Sequence, residues 1–456
     1  MDTKLSRLGS ALIAPGFILL SAIKASGASD FLEIAKKTGV TIRQEAGVTV
    51  WEGAAAGKIK PAGPLAGKTI GVIVASEFSD FQAYYLASYV SEFGGKVEFL
   101  LVDWVKWKFT RPNLSTKGVQ GMWGLSVDPI PVLDARHSAR PLREADPGGY
   151  NALVVLGGHS ADVMVTENAV IGFIQAAYNK GAVVGAIGAG SLPLIAAGLM
   201  DGKECTGDRV VAFMLKRIGK FKDAPAVKDG RLITARDTVD TPAFVEALCS
   251  AFDPGFVPSR KGILANKRIL VIAGEDFEDI ELAVPVMEYI YRGAKVTLAT
   301  FPPPLRSRPP LVGLDVVQGN FGISVPLQEI ALSDYQVVKL SEVKVEDFDL
   351  VQIPGAFCPW NMVAAGEPVE FLKQAYAAGK IIAAICHGPI ALAAADLVKG
   401  KKIAGVLACK DAVRIMGGTY NSDWSAVIDG RIVTGRVPGD VPEFLDAATD
   451  ALLRRQ

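Results

Sequence analysis

The stretch Ala383-Ala384-Ile385-Cys386-His387-Gly388-Pro389-Ile390 decides the fold of the second half of this chain. It follows an apolar run over residues 379–382 that is typical of a buried strand, and it leads into an alanine-rich segment that favours a helix. A cysteine in this setting predicts a nucleophile elbow, a tight turn that lifts the sulfur out of the strand's end. The N–H groups of the new helix would then favour the thiolate, whereas a buried structural cysteine is the alternative.

Strand and helix patterns alternate on both sides of this elbow. In the first half, Lys68–Ala75 is an apolar run typical of a parallel strand, and a helical pattern covers Asp80–Phe93. Gly94 and Gly95 end that helix, and a second strand pattern covers Lys96–Leu101. Alternation at this spacing predicts an α/β fold with a doubly wound, parallel sheet.

The second half repeats the order of the first, which indicates a duplicated domain. Residues 119–127 return as residues 317–325 (317 − 119 = 198), and Gly157 returns as Gly355 at the same offset. A Pro/Gly-rich linker near residues 253–258 separates the copies. The predicted division is an N-terminal extension over 1–66, a degenerate domain over 67–253 and a complete domain over 264–456.

The duplication provides an internal control for the function of the elbow. The first copy keeps the turn but carries glycine and alanine where the second carries cysteine and histidine. Two acidic positions of the second copy are also neutral in the first. Fold requirements alone therefore do not explain these residues, and a chemical role is favoured. The correspondences are Cys386 to Gly188, His387 to Ala189, Glu281 to Gln82 and Glu278 to Ser79.

Acidic residues follow the first strand of the second copy, in the turn 274–282. Loops at the carboxyl ends of parallel strands meet at one sheet edge, so these acids can converge on Cys386. Glu281 precedes an apolar helical face and is expected in the first helical turn. A partly buried carboxyl beside a thiol has a raised pKa and can exchange protons near neutral pH. Glu278 is a second candidate, although acids at a helix N-terminus also complement the helix dipole.

A glycine turn after another strand is the candidate oxyanion hole. The N–H groups of Gly355 and Ala356, with that of His387, could stabilise negative charge on a reacting oxygen. An ordinary glycine turn is the alternative. Because adjacent side chains usually point apart, His387 is expected to contact substrate or a neighbouring chain and not to act as a simple base toward Cys386.

Composition excludes several classes of function. Lys and Arg total 48, as do Asp and Glu, so no basic excess is available for a nucleic-acid partner. Five cysteines without a CxxC pair argue against a disulfide scaffold and for a reducing compartment. With only three histidines, a multi-histidine metal site is not expected. We expect no metal, no cofactor and no membrane partner.

The amino terminus leaves two interpretations open. An apolar run over residues 11–23 follows Lys4 and Arg7, and small residues up to Ala28 resemble a signal-peptide cleavage site. The run is short for a membrane span and contains Pro15. A helix that packs on the first domain, in a cytoplasmic protein, is the expectation, and export is the alternative.

Four motifs of the second copy carry a family resemblance: Phe277-Glu278-Asp279-Ile280-Glu281-Leu282 with Pro285, Pro354-Gly355-Ala356, Ala384-Ile385-Cys386-His387-Gly388-Pro389, and Arg436-Val437-Pro438-Gly439-Asp440-Val441-Pro442. They resemble the ThiJ/PfpI superfamily, which includes cofactor-independent glyoxalases III, deglycases, isocyanide hydratases and PfpI-type peptidases. The resemblance implies tandem flavodoxin-like sandwich domains, similar to class I glutamine amidotransferases, that form a pseudo-dimer within the chain. The resemblance leaves open whether the chain also forms homo-oligomers.

The same resemblance implies roles for individual residues. Cys386 would be the nucleophile, Glu281 would hydrogen-bond to its sulfur, and His387 would be the third participant. Two-domain plant members of the superfamily are similar in layout and convert methylglyoxal to lactate through a hemithioacetal. A small-molecule substrate is therefore expected.

The chain departs from the superfamily pattern beside the site. Ala356 replaces the second glycine of Pro-Gly-Gly, and Trp360 and Val363 replace an acid and an arginine of PfpI-type members. Trp360 predicts a more apolar pocket. Cys358 on the same loop is either a resolving thiol or, more often for a free cysteine, a packed residue.

The primary hypothesis is a cysteine-dependent, cofactor-free lyase or hydratase that acts on a small electrophile such as a 2-oxoaldehyde. The alternatives are a redox-sensing or chaperone-like stress protein that uses Cys386 as an oxidisable switch, an isocyanide hydratase and a PfpI-type peptidase. Amidotransferase chemistry is disfavoured because no histidine follows His387.

Overall fold

The computed structural model describes residues 41–45, 48–52, 63–105, 118–128, 133, 136–257, 260–304 and 316–454. The N-terminal run over residues 11–28, for which a helix or signal segment is expected, lies outside this described part. A hairpin of strands β1 (Thr41–Glu45) and β2 (Val48–Glu52) precedes the two α/β domains.

The first domain follows the predicted alternation of strands and helices. Its elements are β3 (Thr69–Val74), α1 (Asp80–Glu92), β4 (Lys96–Leu101), β5 (His137–Pro141), β6 (Ala152–Val155), α2 (Ser160–Met164), α3 (Asn168–Asn179), β7 (Val183–Ile187), α4 (Ser191–Ala196), β8 (Glu204–Cys205), α5 (Ala212–Ile218), β9 (Lys220–Phe221), β10 (Ala226–Asp229), β11 (Leu232–Ala235) and α6 (Thr241–Phe252).

The second domain repeats this order. Its elements are β12 (Arg268–Ala273), α7 (Asp279–Tyr291), β13 (Lys295–Thr300), β14 (Val317–Gln318), β15 (Ser324–Val325), β16 (Gln336–Lys339), β17 (Leu350–Ile353), α8 (Cys358–Ala365), α9 (Glu367–Ala377), β18 (Ile381–Ile385), α10 (Pro389–Ala394), β19 (Lys402–Ala404), α11 (Lys410–Ile415), β20 (Thr419–Asn421), β21 (Ala426–Asp429), β22 (Ile432–Gly435) and α12 (Val441–Arg454).

The two main sheets have the same topology. In the first the strand order is β10-β11-β7-β6-β3-β4-β5, and in the second the order β21-β22-β18-β17-β12-β13-β16 corresponds strand for strand. The pairs are parallel except at the β10–β11 and β21–β22 edges. The central strands are buried over nearly their whole length because helices cover both faces of each sheet. The prediction of two tandem, doubly wound α/β domains is confirmed.

The hairpin β1–β2 extends the sheet of the second domain and not that of the first. Strand β2 pairs antiparallel with β21, in the register Val48↔Asp429 to Trp51↔Ala426. Trp51 is fully buried, and the Arg454 guanidinium donates to the Thr49 hydroxyl at 3.0 Å. Part of the extension over residues 1–66 is therefore an edge of the second domain.

The two domains pack through a four-helix layer formed by α1, α6, α7 and α12. Polar groups cross this layer: the Tyr85 hydroxyl donates to Glu288, and Arg260 pairs with Asp446 at 3.1 Å. The repeated loops 119–127 and 317–325 also touch, since a Cβ on Gly322 would lie 2.4 Å from the Trp123 carbonyl oxygen. The carboxyl ends of both sheets thus lie near the domain interface.

Candidate active site

Cys386 lies on the sharp turn that follows strand β18. Its φ is +60°, a value that non-glycine residues rarely adopt, and its N–H donates to the Gly435 carbonyl of neighbouring strand β22 at 3.0 Å. The equivalent Gly188 has a φ of +56°. Both copies therefore build the same left-handed turn, and the second copy places a cysteine where glycine would be free of strain. Only 6% of Cys386 is exposed.

Helix α7 brings Glu281 to this sulfur. Glu281 is the third residue of the helix and is fully buried, and its carboxyl interacts with the Cys386 side chain, which opposes the rise of the carboxyl's pKa. Its Oε2 also accepts from the Gly355 N–H at 2.6 Å. Glu278 caps the helix, because its Oε2 accepts from the Glu281 N–H at 2.8 Å. The structure therefore gives Glu278 a capping contact that positions Glu281.

Burial controls protonation at this pair. It raises the pKa of Glu281 to about 8, against the lowering effect of the Gly355 N–H and the Cys386 side chain. Burial first, and then the charge of Glu281, raise the pKa of the Cys386 thiol well above its usual range. The N–H groups of the following helix are expected to favour the thiolate, whereas burial and the adjacent carboxyl act in the opposite direction and favour the protonated thiol.

The turn at Gly355 and Ala356 closes the site on its second side. A Cβ on Gly355 would lie 2.5 Å from Glu281 Oε2 and 2.6 Å from Cys386 Cβ, so only glycine fits. The Gly355 N–H is committed to Glu281, which corrects its predicted role as an oxyanion donor. Ala356 has a φ of +53°, and its N–H lies near enough to the Cys386 sulfur to oppose the rise of the thiol's pKa. Of the two residues of this turn, Ala356 therefore directs its N–H at the reacting atom.

His387 lies closer to the nucleophile than its sequence position suggests. Its Nδ1 is 3.3 Å from Cys386 Sγ, because the left-handed turn brings the two adjacent side chains to the same side. The expectation that they point apart is wrong. The ring is partly buried, and burial lowers the pKa of His387, so a neutral imidazole faces the sulfur. A neutral imidazole can accept the thiol proton.

Two further candidates lie at the start of α8. Cys358 is fully buried, its sulfur accepts from the Gly274 N–H at 3.2 Å, and burial raises its pKa to about 12. Such a thiol holds the loop after β12 and is not ionised at neutral pH. Trp360 is 42% exposed in the first turn of the helix, beside the exposed Phe357. Its role as a wall of the substrate pocket stays a prediction.

The first domain preserves the framework of the site without its chemistry. Gln82 occupies the Glu281 position, and its Oε1 accepts from the Gly157 N–H at 2.8 Å. Ser79 caps α1 as Glu278 caps α7. Asp208 fills the space above Gly188, because a Cβ on that glycine would lie 3.0 Å from Asp208 Oδ2. Neither a thiol nor an ionisable carboxyl stands at the equivalent positions.

Sequence reasoning missed one residue that supports Glu281. Gln352 lies in the middle of β17, donates to the Glu281 carbonyl at 3.2 Å and accepts from the Tyr289 hydroxyl at 2.7 Å. A glutamine in an otherwise apolar strand, Leu350-Val351-Gln352-Ile353, is a signal that could have identified it.

Two kinds of feature are absent from the described residues. They contain no group of three or more His, Cys, Asp or Glu side chains placed to hold a metal ion. Within the same residues, no helix is long and apolar enough to cross a membrane.

Comparison with known proteins identifies the family. The model of the DJ-1/PfpI family matches residues 68–251 and again residues 267–451. Protein DJ-1 homolog D of Arabidopsis thaliana is 28% identical over 310 residues, which cover 66% of this chain and 77% of the relative. DJ-1 protein homolog F of the same plant is 24% identical over 318 residues, covering 67% and 78%. Deglycase PfpI of Pyrococcus furiosus is 29% identical over 174 residues, covering 38% and 92%. With both copies matched, the chain belongs to the DJ-1/PfpI family.

Proposed function

We propose that this protein is a cysteine-dependent enzyme that converts a 2-oxoaldehyde to a 2-hydroxy acid without a cofactor. The observation that carries the proposal is the arrangement of Glu281 and His387 around a cysteine on a strained turn. The first domain builds the same turn from glycine and lacks all three groups. Strain that only the second copy retains is typical of a functional site.

In the proposed reaction the Cys386 sulfur attacks the aldehyde carbon. Its proton passes to Glu281 or to His387 Nδ1, an S–C bond forms, and the carbonyl oxygen becomes the alkoxide of a hemithioacetal. The Ala356 N–H, directed at the sulfur, is placed to stabilise this oxygen.

An internal proton transfer follows. The thiol proton first returns to the alkoxide, which gives the hemithioacetal hydroxyl and leaves Glu281 ionised. Glu281 then removes the proton from the former aldehyde carbon and gives it to the neighbouring carbonyl carbon, while the hydroxyl proton moves to the neighbouring carbonyl oxygen, which leaves a 2-hydroxy thioester on Cys386. Water then cleaves the S–C bond, so the 2-hydroxy acid leaves and the thiol is restored. The sum is one aldehyde plus one water to one acid, with no external oxidant or reductant. A carboxyl with a pKa of about 8 suits both proton transfers near neutral pH.

A deglycase is the second candidate, because several relatives at 28% to 29% identity carry that name. Removal of an oxoaldehyde from an amine needs the same first step, attack of a thiol on the former aldehyde carbon. As the S–C bond forms, the C–N bond breaks and the amine leaves with the thiol proton, so the same hemithioacetal results. Both activities would fail together if Cys386 were removed.

The remaining alternatives receive less support from the site. Peroxide oxidises thiolates, whereas burial keeps Cys386 protonated and 6% exposed, which disfavours a readily oxidised switch. For the peptidase and isocyanide hydratase alternatives, no contact of Trp360 or Val363 favours either substrate. We propose further that the two domains take the place of two subunits in a cytoplasmic protein.

The deciding experiment is turnover of methylglyoxal by the purified protein, followed as lactate formation. We expect Cys386→Ala and Glu281→Gln to lose activity by several orders of magnitude while the far-UV circular dichroism stays unchanged. Cys249→Ala, which removes a buried thiol of the first domain, is the matched control and should retain activity. Because Glu281 acts as a base when ionised, kcat/KM should rise through an apparent pKa of about 8. Wild-type turnover by Cys386→Ala would disprove the proposal.

A further inference from the structure

A chain of buried hydrogen bonds reaches the main chain of Glu281 from the neighbouring strand β17. Tyr289, Gln352 and Glu281 are all fully buried. The Tyr289 hydroxyl donates to Gln352 Oε1 at 2.7 Å, and Gln352 Nε2 donates to the Glu281 carbonyl at 3.2 Å. Buried polar groups are costly unless they are hydrogen-bonded, so a glutamine in the middle of a central strand needs a reason beyond packing.

A proline within α7 explains why the Glu281 carbonyl needs this partner. In a regular helix the carbonyl would accept from the N–H four residues later, which is the position of Pro285. Proline has no N–H, and its ring crowds the carbonyl four residues before it. The Gln352 amide therefore supplies a donor that the helix itself cannot provide.

The first domain carries apolar residues at every position of this chain. Helices α1 and α7 correspond at an offset of 279 − 80 = 199, and strands β6 and β17 at an offset of 350 − 152 = 198. The strand pairing agrees, because Val154 pairs with Val72 as Gln352 pairs with Val271. The counterparts are Leu86 for Pro285, Val90 for Tyr289 and Val154 for Gln352. Since both domains build the same sheet, the fold does not require the polar chain.

The side chain at the Glu281 position is also held differently in the two domains. In the first domain both ends of the Gln82 amide are bonded, since Oε1 accepts from the glycine turn and Nε2 donates to the Thr238 hydroxyl at 2.9 Å. Glu281 keeps the contact with the glycine turn, but Pro438 stands at the position of Thr238. Within the described residues, Glu281 Oε1 has no hydrogen-bond partner. One carboxyl oxygen is thus left for the reacting groups, and the side chain has lost one of its supports.

We propose that Gln352 is a positioning residue, which fixes the main chain of Glu281 so that the carboxyl stays aligned with Cys386 while one of its oxygens is left unbonded. The inference rests on the proposed function, in which Glu281 transfers the protons. Tyr289 orients the amide, because its hydroxyl donates to the amide oxygen and turns the NH₂ group toward the Glu281 carbonyl. A misplacement of about 1 Å in a reacting group can cost on the order of 100-fold in rate.

The kinetic test uses Gln352→Val, which introduces the residue of the first domain, and the milder Tyr289→Phe, which removes only the orienting hydroxyl. Gln352→Val should lower kcat for methylglyoxal by about ten-fold or more and change KM by less than about two-fold, because proton transfer and not substrate binding depends on the alignment. Tyr289→Phe should lower kcat by a smaller factor.

The matched control for these variants is Tyr335→Phe. Tyr335 is a buried tyrosine of the same domain, and its hydroxyl accepts from the Leu327 N–H at 2.6 Å. It precedes β16, which is separated from β17 by two strands of the sheet. Its loss should lower the free energy of unfolding, as the loss of the Tyr289 hydroxyl does, and leave kcat unchanged. An equal fall of kcat in both tyrosine variants would contradict a specific positioning role.

A titration separates this inference from the proposed reaction, because it needs no turnover. Carbon-13 NMR of labelled glutamate carboxyls reports the pKa of Glu281, and Glu281→Gln assigns the resonance. The Gly355 N–H lowers this pKa, so a carboxyl that drifts from the turn should titrate at higher pH in Gln352→Val and Tyr289→Phe, but not in Tyr335→Phe. Such a shift would support the positioning role even if the wild-type protein did not convert methylglyoxal. An unchanged titration in Gln352→Val would overturn it.

Discussion

The backbone at Cys386 has a conformation that the fold does not require of a cysteine. A non-glycine residue in the left-handed region costs roughly 1–2 kcal/mol, and Gly188 forms the same turn in the first domain without that cost. Glu281 is also fully buried, which destabilises its ionised form. Both residues therefore reduce stability in favour of a specific proton-sharing pair.

Cys386→Gly should separate folding from chemistry. Glycine adopts the positive φ without strain, which stabilises the folded state. It also loses the packing of the thiol and makes the unfolded chain more flexible, which destabilises it. Because these effects oppose each other, the free energy of unfolding should stay within about 1 kcal/mol of wild type. Reactivity toward methylglyoxal should vanish. The free energy of unfolding from urea titrations is the measurement.

The comparison for this variant is Cys409→Gly. Cys409 is equally buried but has an ordinary φ of −80°, so glycine should cost about 1–2 kcal/mol there. If Cys386→Gly destabilised the protein as much as Cys409→Gly, the turn would not be strained by its side chain.

At the scale of elements, the hairpin β1–β2 is the main addition to the predicted fold. The alternation of strands and helices identified the core elements, because buried parallel strands read as continuous apolar runs. The hairpin lies in the extension, and its partner β21 is more than 350 residues away in sequence. Local patterns carry no signal for such a pairing.

Trp51→Ala should destabilise the second domain by about 3–5 kcal/mol, since it removes a fully buried indole between the hairpin and α/β core. Trp51→Phe should cost much less, because the indole N–H has no partner in the described structure. Gln44→Ala, at an exposed position of β1, is the control. Urea unfolding of the three variants is the measurement, and equal stability of Trp51→Ala and Gln44→Ala would show that the hairpin does not hold the domain.

At the scale of the whole molecule, the domain interface collects carboxyl groups that bind a substantial fraction of a proton at neutral pH. Burial raises the pKa of Asp80 and of Glu246 to about 7 and that of Glu329 to about 8. Glu329 of the second domain accepts from the Asp80 N–H at 3.1 Å and from the Ser79 hydroxyl. Glu329 therefore caps the N-terminus of α1 across the interface, in addition to the cap that Ser79 provides.

These groups make stability depend on pH. The pKa values of these carboxyls are higher in the folded protein than in the unfolded chain, so the folded state binds more protons. The stability that this proton binding provides is lost as the pH rises through 7 and 8. The free energy of unfolding should therefore fall between pH 6 and pH 9, by up to about 1.4 kcal/mol per group and pH unit, and the melting temperature should fall with it. Glu329→Gln should flatten this slope.

Asp146→Asn is the control for that slope. Asp146 is exposed, and its hydrogen bond with Lys180 lowers its pKa, so it stays ionised from pH 6 to pH 9 in both states. A slope that is equal in Glu329→Gln and in wild type would contradict the interface origin of the effect.

The sequence by itself determined the duplicated α/β architecture and the elbow, because periodicity and the internal repeat report local structure and correspondence. The pairing of Glu281 with Cys386 was implied by the family resemblance. Tertiary structure alone decided the protonation of the pair, the approach of His387 to the sulfur and the commitment of the Gly355 N–H. These depend on burial and on backbone direction at one turn, which a linear pattern does not encode.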